Sequence, residues 1–158
     1  MDHLWSPWRY QYIAKEKKYN ECVFCRLPKE ERDEETFIVY RGCFNYIVLN
    51  IFPYTSGHLL VIPFQHTSSF SDIEKEVSDE MMDLTKKCQA VLQQEYKPDG
   101  FNLGMNLGVA SGAGVAEHLH MHILPRWFGD ANFTSVIGET RILPEMLGNT
   151  FLRLKKYF

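Results

Sequence analysis

The segment His118-Leu119-His120-Met121-His122-Ile123-Leu124 constrains this chain more than any other. Apolar and imidazole side chains alternate with period two, the pattern of a strand with one face in a core. Leu119, Met121 and Ile123 are expected inward, and the three histidines share the opposite face. At a rise of about 3.3 Å per residue, neighbouring imidazoles lie roughly 7 Å apart, close enough to work on one bound group. Directly upstream, the run Ser111-Gly112-Ala113-Gly114 is small and flexible, and its backbone N–H groups can turn toward an anion as a nest. Imidazoles beside an amide-rich loop suit the holding and attack of a phosphate.

The rest of the chain frames that strand. Strands are expected over residues 36–41 and 44–49, joined by a turn at Arg41-Gly42-Cys43, and over 58–63 after a turn at 53–57. Residues 71–96 read as helix. Ser78-Asp79-Glu80 offers a cap and an acidic first turn, and Met81, Leu84, Thr85, Cys88, Val91, Leu92 and Tyr96 form the buried stripe. Lys97-Pro98-Asp99-Gly100 stops it. Phe101, Leu103, Met105 and Leu107 alternate as a further strand, and residues 143–158 hold a C-terminal helix with Leu147, Phe151 and Leu154 inward. The charge run 29–35 reads as an exposed turn. Residues 1–20 open with Trp5, Trp8, Tyr10 and Tyr12, too apolar for a frayed tail, and are expected to form an extended arm. The expected architecture is one α+β domain over 1–158, an antiparallel five-stranded sheet with a long helix packed on it.

A net charge of −3 gives no bulk attraction to a long nucleic acid, and no apolar run approaches the length of a membrane span. A cytoplasmic location is expected, with no membrane partner. The cysteines are Cys22, Cys25, Cys43 and Cys88, and Cys22-Val23-Phe24-Cys25 reads as a metal or redox pair. The redox reading wants a βαβ unit, which the pattern lacks. A tetrahedral zinc needs two further ligands, and His66 and the edge of the triad offer candidates between which spacing does not choose.

The triad itself admits a metal site or a nucleophile. Its one nearby carboxylate, Glu117, falls on the wrong face, whereas imidazole with a pKa of about 6.5 is neutral and nucleophilic near pH 7. His120, flanked on both sides, is the natural nucleophile. His122 would hydrogen-bond the transferred phosphate or protonate a leaving oxygen, and the amides of Gly112, Gly114 and Val115 would stabilise the charge that builds on phosphoryl oxygens.

The HxHxH triad, Gly57-His58-Leu59-Leu60-Val61-Ile62-Pro63 and Asn106-Leu107-Gly108 together resemble the histidine triad family of nucleotide hydrolases and transferases. Trp5-Ser6-Pro7-Trp8-Arg9, Pro125-Arg126-Trp127, the run from Gly129 to Phe133 and Leu143-Pro144-Glu145 resemble its branch of bacterial diadenosine tetraphosphate phosphorylases. The resemblance implies a homodimer with one continuous sheet, and an adenine nucleotide bound at each triad. It puts His120 at the nucleophile, His122 and His58 at supporting histidines, Asn50 at the ribose and Asn106 at a phosphate. It also implies a structural zinc held by Cys22, Cys25, His66 and His118. Where many hydrolases of the family carry Gln four residues before the triad, this chain has Gly114, which removes a side-chain donor to the leaving bridge. The activity so implied is phosphorolysis of diadenosine tetraphosphate to ADP and ATP through a nucleotidyl-histidine, with inorganic phosphate as acceptor. Phe44, Val48 and Ile51 are candidates for the adenine pocket and Trp127 for a wall that excludes water. Hydrolysis of dinucleoside polyphosphates, phosphoramidase activity and a non-catalytic nucleotide-binding module are the rival readings.

Overall fold

Strands whose side chains alternate between two cores make the frame. The computed structural model describes residues 21–138 and 143–158, so the expected aromatic arm over 1–20 lies outside the described residues. Five strands, β1 (Ile38–Arg41), β2 (Asn45–Leu49), β3 (Leu59–Pro63), β4 (Gly100–Gly104) and β5 (Met121–Arg126), pair antiparallel in the order β1-β2-β3-β5-β4. One face carries Val39, Ile47, Leu49, Leu59, Val61 and Ile123 against the helix α3 (Lys75–Tyr96) and against Phe151 and Leu154 of α5 (Leu147–Lys155). The other carries Ile38, Tyr46, Val48, Leu60 and Ile62 against Phe24 of the single-turn helix α1 (Val23–Arg26) and against Val115. Because both faces of β2 and β3 are covered, these strands read as unbroken apolar runs.

The buried stripe of α3 is the expected one from Met81 to Leu92, with Val77 added and Tyr96 only partly buried, but its start is at neither residue 71 nor Ser78. The helix begins a turn earlier, with Glu74 at the N-cap, and the Ser78 hydroxyl donates back to Lys75 O at 2.8 Å. A short 3₁₀ turn, Phe70–Asp72, precedes it. It ends at Lys97, which takes the left-handed conformation at φ 48°. The charge run expected as a turn instead holds the one-turn helix α2 (Asp33–Thr36), where Asp33, Glu34 and Glu35 occupy the first turn and complement its dipole. A further short helix, α4 (Phe133–Val136), has a capping box made by Asn132 and Ser135. No helix among the described residues is long and apolar enough to cross a membrane.

The two edges of the sheet differ. α5 lies against β1, with Lys155 Nζ donating to Val39 O at 2.9 Å, whereas Asn102, Leu103 and Gly104 of β4 are exposed. Leu103 and Leu107 were expected inward with Phe101 and Met105; both are about half exposed, Leu103 because β4 pairs with β5 alone among the described residues, and Leu107 because the strand ends at Gly104, short of it.

Glu80 of α3 clips the β1–β2 turn. Its carboxylate accepts from the N–H groups of Cys43, Phe44 and Asn45 and from Asn45 Nδ2, at 2.7–2.8 Å. Burial works to raise the Glu80 carboxyl, but these hydrogen bonds outweigh it and hold the group below the usual carboxylate range. Gly42 leaves room for this, since a Cβ there would stand 2.7 Å from Glu80 Oε1. Glu80→Ala should lower the unfolding free energy by about 2 kcal/mol, read from urea denaturation at pH 7. A loss within error would mean that the clip contributes nothing to stability.

Candidate active site

The ladder of β5 begins at Met121, three residues later than the alternation suggests. Residues 118–120 run ahead of it, pinned by Leu119 N–H donating to Thr67 O at 2.6 Å. The expected facing still holds: Leu119 and Ile123 enter the core with α3 and Met121 packs against it, while His118, His120 and His122 are buried on the other side.

The hydrogen bonds assign a tautomer to each imidazole. His120 Nδ1 lies 2.8 Å from His118 O, a group that only accepts, so Nδ1 carries the proton and Nε2 the lone pair. Tyr54 N–H, at 3.2 Å, and Asn50 Nδ2, at 3.3 Å, both approach His58 Nδ1, so His58 is protonated on Nε2. That Nε2–H donates to His122 Nδ1 at 2.9 Å, leaving the His122 proton on Nε2. His122 Nε2 is buried, without a partner among the described residues, and its ring lines a cleft of about 310 Å³ together with His120. The result is a lone pair on one imidazole beside an N–H on the next. Burial lowers the basicity of both rings, and His120 nearby lowers His122 further, to a pKa of about 4. Both are neutral near pH 7.

Around them the cleft gathers Asn50, Val48, Ile51, Asn106, Gly112, Gly114 and Val115. His58 stands behind His122 rather than on the wall. Two expected residues are elsewhere. Phe44 precedes β2 at the Glu80 clip, four residues along the strand from Val48, and is 44% exposed. Trp127 follows the far end of β5, its ring edge-on to Tyr96 at 6.5 Å. The loop also differs in detail. Gly112 N–H donates to Val109 O at 3.0 Å within the turn Val109–Ser111, and the Ser111 hydroxyl donates to Gly108 O at 2.7 Å, so neither donor is turned to the cleft. Spacing had no means of showing that Val109–Ser111 forms a 3₁₀ turn closed by Gly112.

The cleft also takes in residues that periodicity did not mark: Val23, Phe24, Arg26 and Leu27 from the CxxC segment, Leu60, and Tyr54. Phe24 packs against His120 at 5.0 Å between ring centroids, and its carbonyl accepts from the buried Tyr46 hydroxyl at 2.7 Å. An apolar residue held between two cysteines was the one available signal.

Those cysteines meet the first triad histidine. Cys22 Sγ, Cys25 Sγ, His66 Nδ1 and His118 Nδ1 all lie within 4.8 Å of one another, with His118 Nδ1 3.4 Å from Cys22 Sγ and 3.5 Å from Cys25 Sγ, and His66 Nδ1 3.2 Å from Cys25 Sγ and 3.3 Å from His118 Nδ1. Such separations are the edges of a tetrahedron with metal–ligand bonds of about 2.0–2.3 Å. His118 Nε2–H donates to Pro63 O at 2.9 Å, which leaves the Nδ1 lone pair facing the cluster. Burial pushes the Cys22 thiol up to about 11, so a thiolate there needs a cation beside it. The donor set fits a metal ion.

A neutral imidazole lone pair at a cleft wall, next to an oriented imidazole donor, is an arrangement that can attack a bound electrophile. The HIT domain model matches residues 31–129, and the chain belongs to that family. It is 39% identical over 158 residues to the AP-4-A phosphorylase of Mycobacterium tuberculosis, with 95% of this chain and 80% of that protein covered. A zinc-bound histidine triad family protein from Mycobacterium smegmatis is similar in structure, with a TM-score of 0.70, 27% identity, and 87% of this chain and 92% of that one covered. A HIT family protein from Bacillus anthracis matches at a TM-score of 0.62 and 30% identity, over 68% of this chain and 74% of that one.

The buried His122 links stability to pH. The unfolded chain protonates this imidazole near the usual histidine value of 6.5, while the folded state resists protonation down to about 4, so the folded state binds fewer protons in between. Stability should therefore fall as pH drops through that window, by no more than about 3 kcal/mol from this residue. In urea denaturation between pH 4.5 and 7.5, His122→Gln should lose part of the slope. An unchanged slope would show that His122 does not resist protonation.

Proposed function

We propose that this chain is a phosphorylase of dinucleoside tetraphosphates, converting diadenosine tetraphosphate and inorganic phosphate to ADP and ATP through a nucleotidyl group carried on His120. The observation that carries the reading is the His120 tautomer, a neutral imidazole with its Nε2 lone pair at the cleft and its Nδ1–H held by His118 O. The relation to the AP-4-A phosphorylase supports the choice of substrate.

In the first step the Nε2 lone pair attacks the α-phosphorus. The bond from that phosphorus to the bridging oxygen breaks, and ATP leaves with the electron pair. The ring becomes cationic as the P–N bond forms, and the bond from Nδ1–H to the His118 carbonyl strengthens with that charge. His122 Nε2–H stabilises a non-bridging oxygen, oriented through His58, Asn50 and the Tyr54 amide. Asn106 and the Gly114–Val115 backbone line the remaining side. In the second step an oxygen of phosphate attacks the same phosphorus, the P–N bond breaks, its electron pair returns to Nε2, and ADP leaves. Gly112 and Gly114 put no side chains into the cleft, which leaves space for that second anion.

Zinc is the metal we assign to Cys22, Cys25, His66 and His118. With four protein ligands it would be structural, holding α1 and residues 118–120 against each other. The open β4 edge supports a homodimer with a continued sheet, because an exposed edge strand is a template for pairing.

Phosphorus NMR of the products tests the reaction. With phosphate present, diadenosine tetraphosphate should give ADP and ATP; without it, turnover should slow and yield AMP and ATP. His120→Ala should lower kcat by about 10³-fold or more while nucleotide binding persists. Rates indifferent to phosphate with AMP as steady product would make the enzyme a hydrolase, and substantial turnover by His120→Ala would remove the covalent step. Metal analysis should find about one zinc per chain, with chelation lowering the melting temperature.

A further inference from the structure

The cleft wall contains a charged pair for which the chemistry above has no use. Phe24 packs on His120, and the wall continues from it through Arg26 and Leu27 to Glu30. Arg26 Nη1 lies 3.1 Å from Glu30 Oε1, and Arg32 Nη2 lies 3.3 Å from Glu30 Oε2, so the carboxylate is held from both sides. The Glu30 side chain is 24% exposed and that of Arg26 35%, in a region whose other walls are Val23, Leu27, Val48 and Ile51. A planar base covering this pair removes water from it, which is costly unless the base replaces the lost hydrogen bonds. An apolar pocket alone would be indifferent to base identity.

We infer that the Arg26–Glu30 pair reads the polar edge of the bound base and selects adenine. This deepens the phosphorolysis reading, on which it rests for the placement of the α-phosphorus at His120. From that point the nucleoside extends past Phe24, and the base edge meets the pair. Glu30 accepts from the 6-amino group, and Arg26 donates to the neighbouring ring nitrogen. Hypoxanthine presents a carbonyl oxygen where adenine has the amino group, and that oxygen faces the carboxylate, which can only accept.

Binding of AMP and IMP, measured by calorimetry on the full chain, tests this without requiring turnover. The wild-type protein should prefer AMP by about tenfold or more, the discrimination that one well-placed pair of hydrogen bonds gives. Glu30→Gln keeps the shape and offers both a donor and an acceptor, so the two ligands should bind within about threefold of each other, chiefly through a gain for IMP. Its melting temperature should match the wild type, which separates the effect from loss of fold. Equal affinities in the wild type, a ratio unchanged in Glu30→Gln, or no binding of either nucleotide would overturn the inference. Selective AMP binding with no phosphate-dependent cleavage would reject phosphorolysis and leave the base reading standing.

Discussion

The hydrogen bond from His120 Nδ1–H to the carbonyl of His118 decides where the Nε2 lone pair points, and much of the molecule serves to hold it. A backbone carbonyl can only accept, so this bond assigns the tautomer without any second titrating group. The carbonyl belongs to a residue fixed three ways: its side chain donates to Pro63 O at the end of β3, its Nδ1 faces the cysteines, and the next amide donates to Thr67 O. A metal in the Cys22–Cys25–His66–His118 cluster would thus act on the chemistry at one remove. It would hold the residue that holds His120, the nucleophile we propose.

The sheet supplies the rest of that rigidity. β3 lies between β2 and β5 and pairs Leu60 directly with His122, so the second imidazole stands on the most enclosed part of the sheet. Its partner His58 immediately precedes β3 and is itself fixed from the 50–54 loop. α3 covers the opposite face and clips the β1–β2 turn through Glu80. The long helix therefore never touches the cleft, yet it sets the strands from which the cleft is built.

Much of this was legible in the sequence because the signals were local and periodic. The alternation of 118–124 predicted which residues share a face, and the stripe from Met81 to Leu92 predicted the buried side of α3. What escaped was decided by contacts distant in sequence. Ser78 looks like a cap, but the chain enters the helix a turn sooner, at Glu74. Phe44 and Trp127 have the apolar character of pocket residues, and only the three-dimensional path of β2 and β5 shows that they are away from the cleft. Gly112 looked like an anion donor, although the turn it closes engages its N–H. The wall formed by α1 was hidden because Val23, Phe24 and Leu27 enter the cleft only when the cysteines meet His118.

The central claim concerns protons, so the most direct measurement observes them. Nitrogen-15 NMR of the histidine side chains at pH 7 distinguishes the two neutral tautomers and the cation for each ring. The structure predicts His120 protonated on Nδ1 alone, and His58 and His122 protonated on Nε2 alone. On formation of the covalent nucleotide, His120 should carry phosphorus on Nε2 and keep its proton on Nδ1. A free His120 found with its proton on Nε2, or a nucleotide attached through Nδ1, would contradict the account.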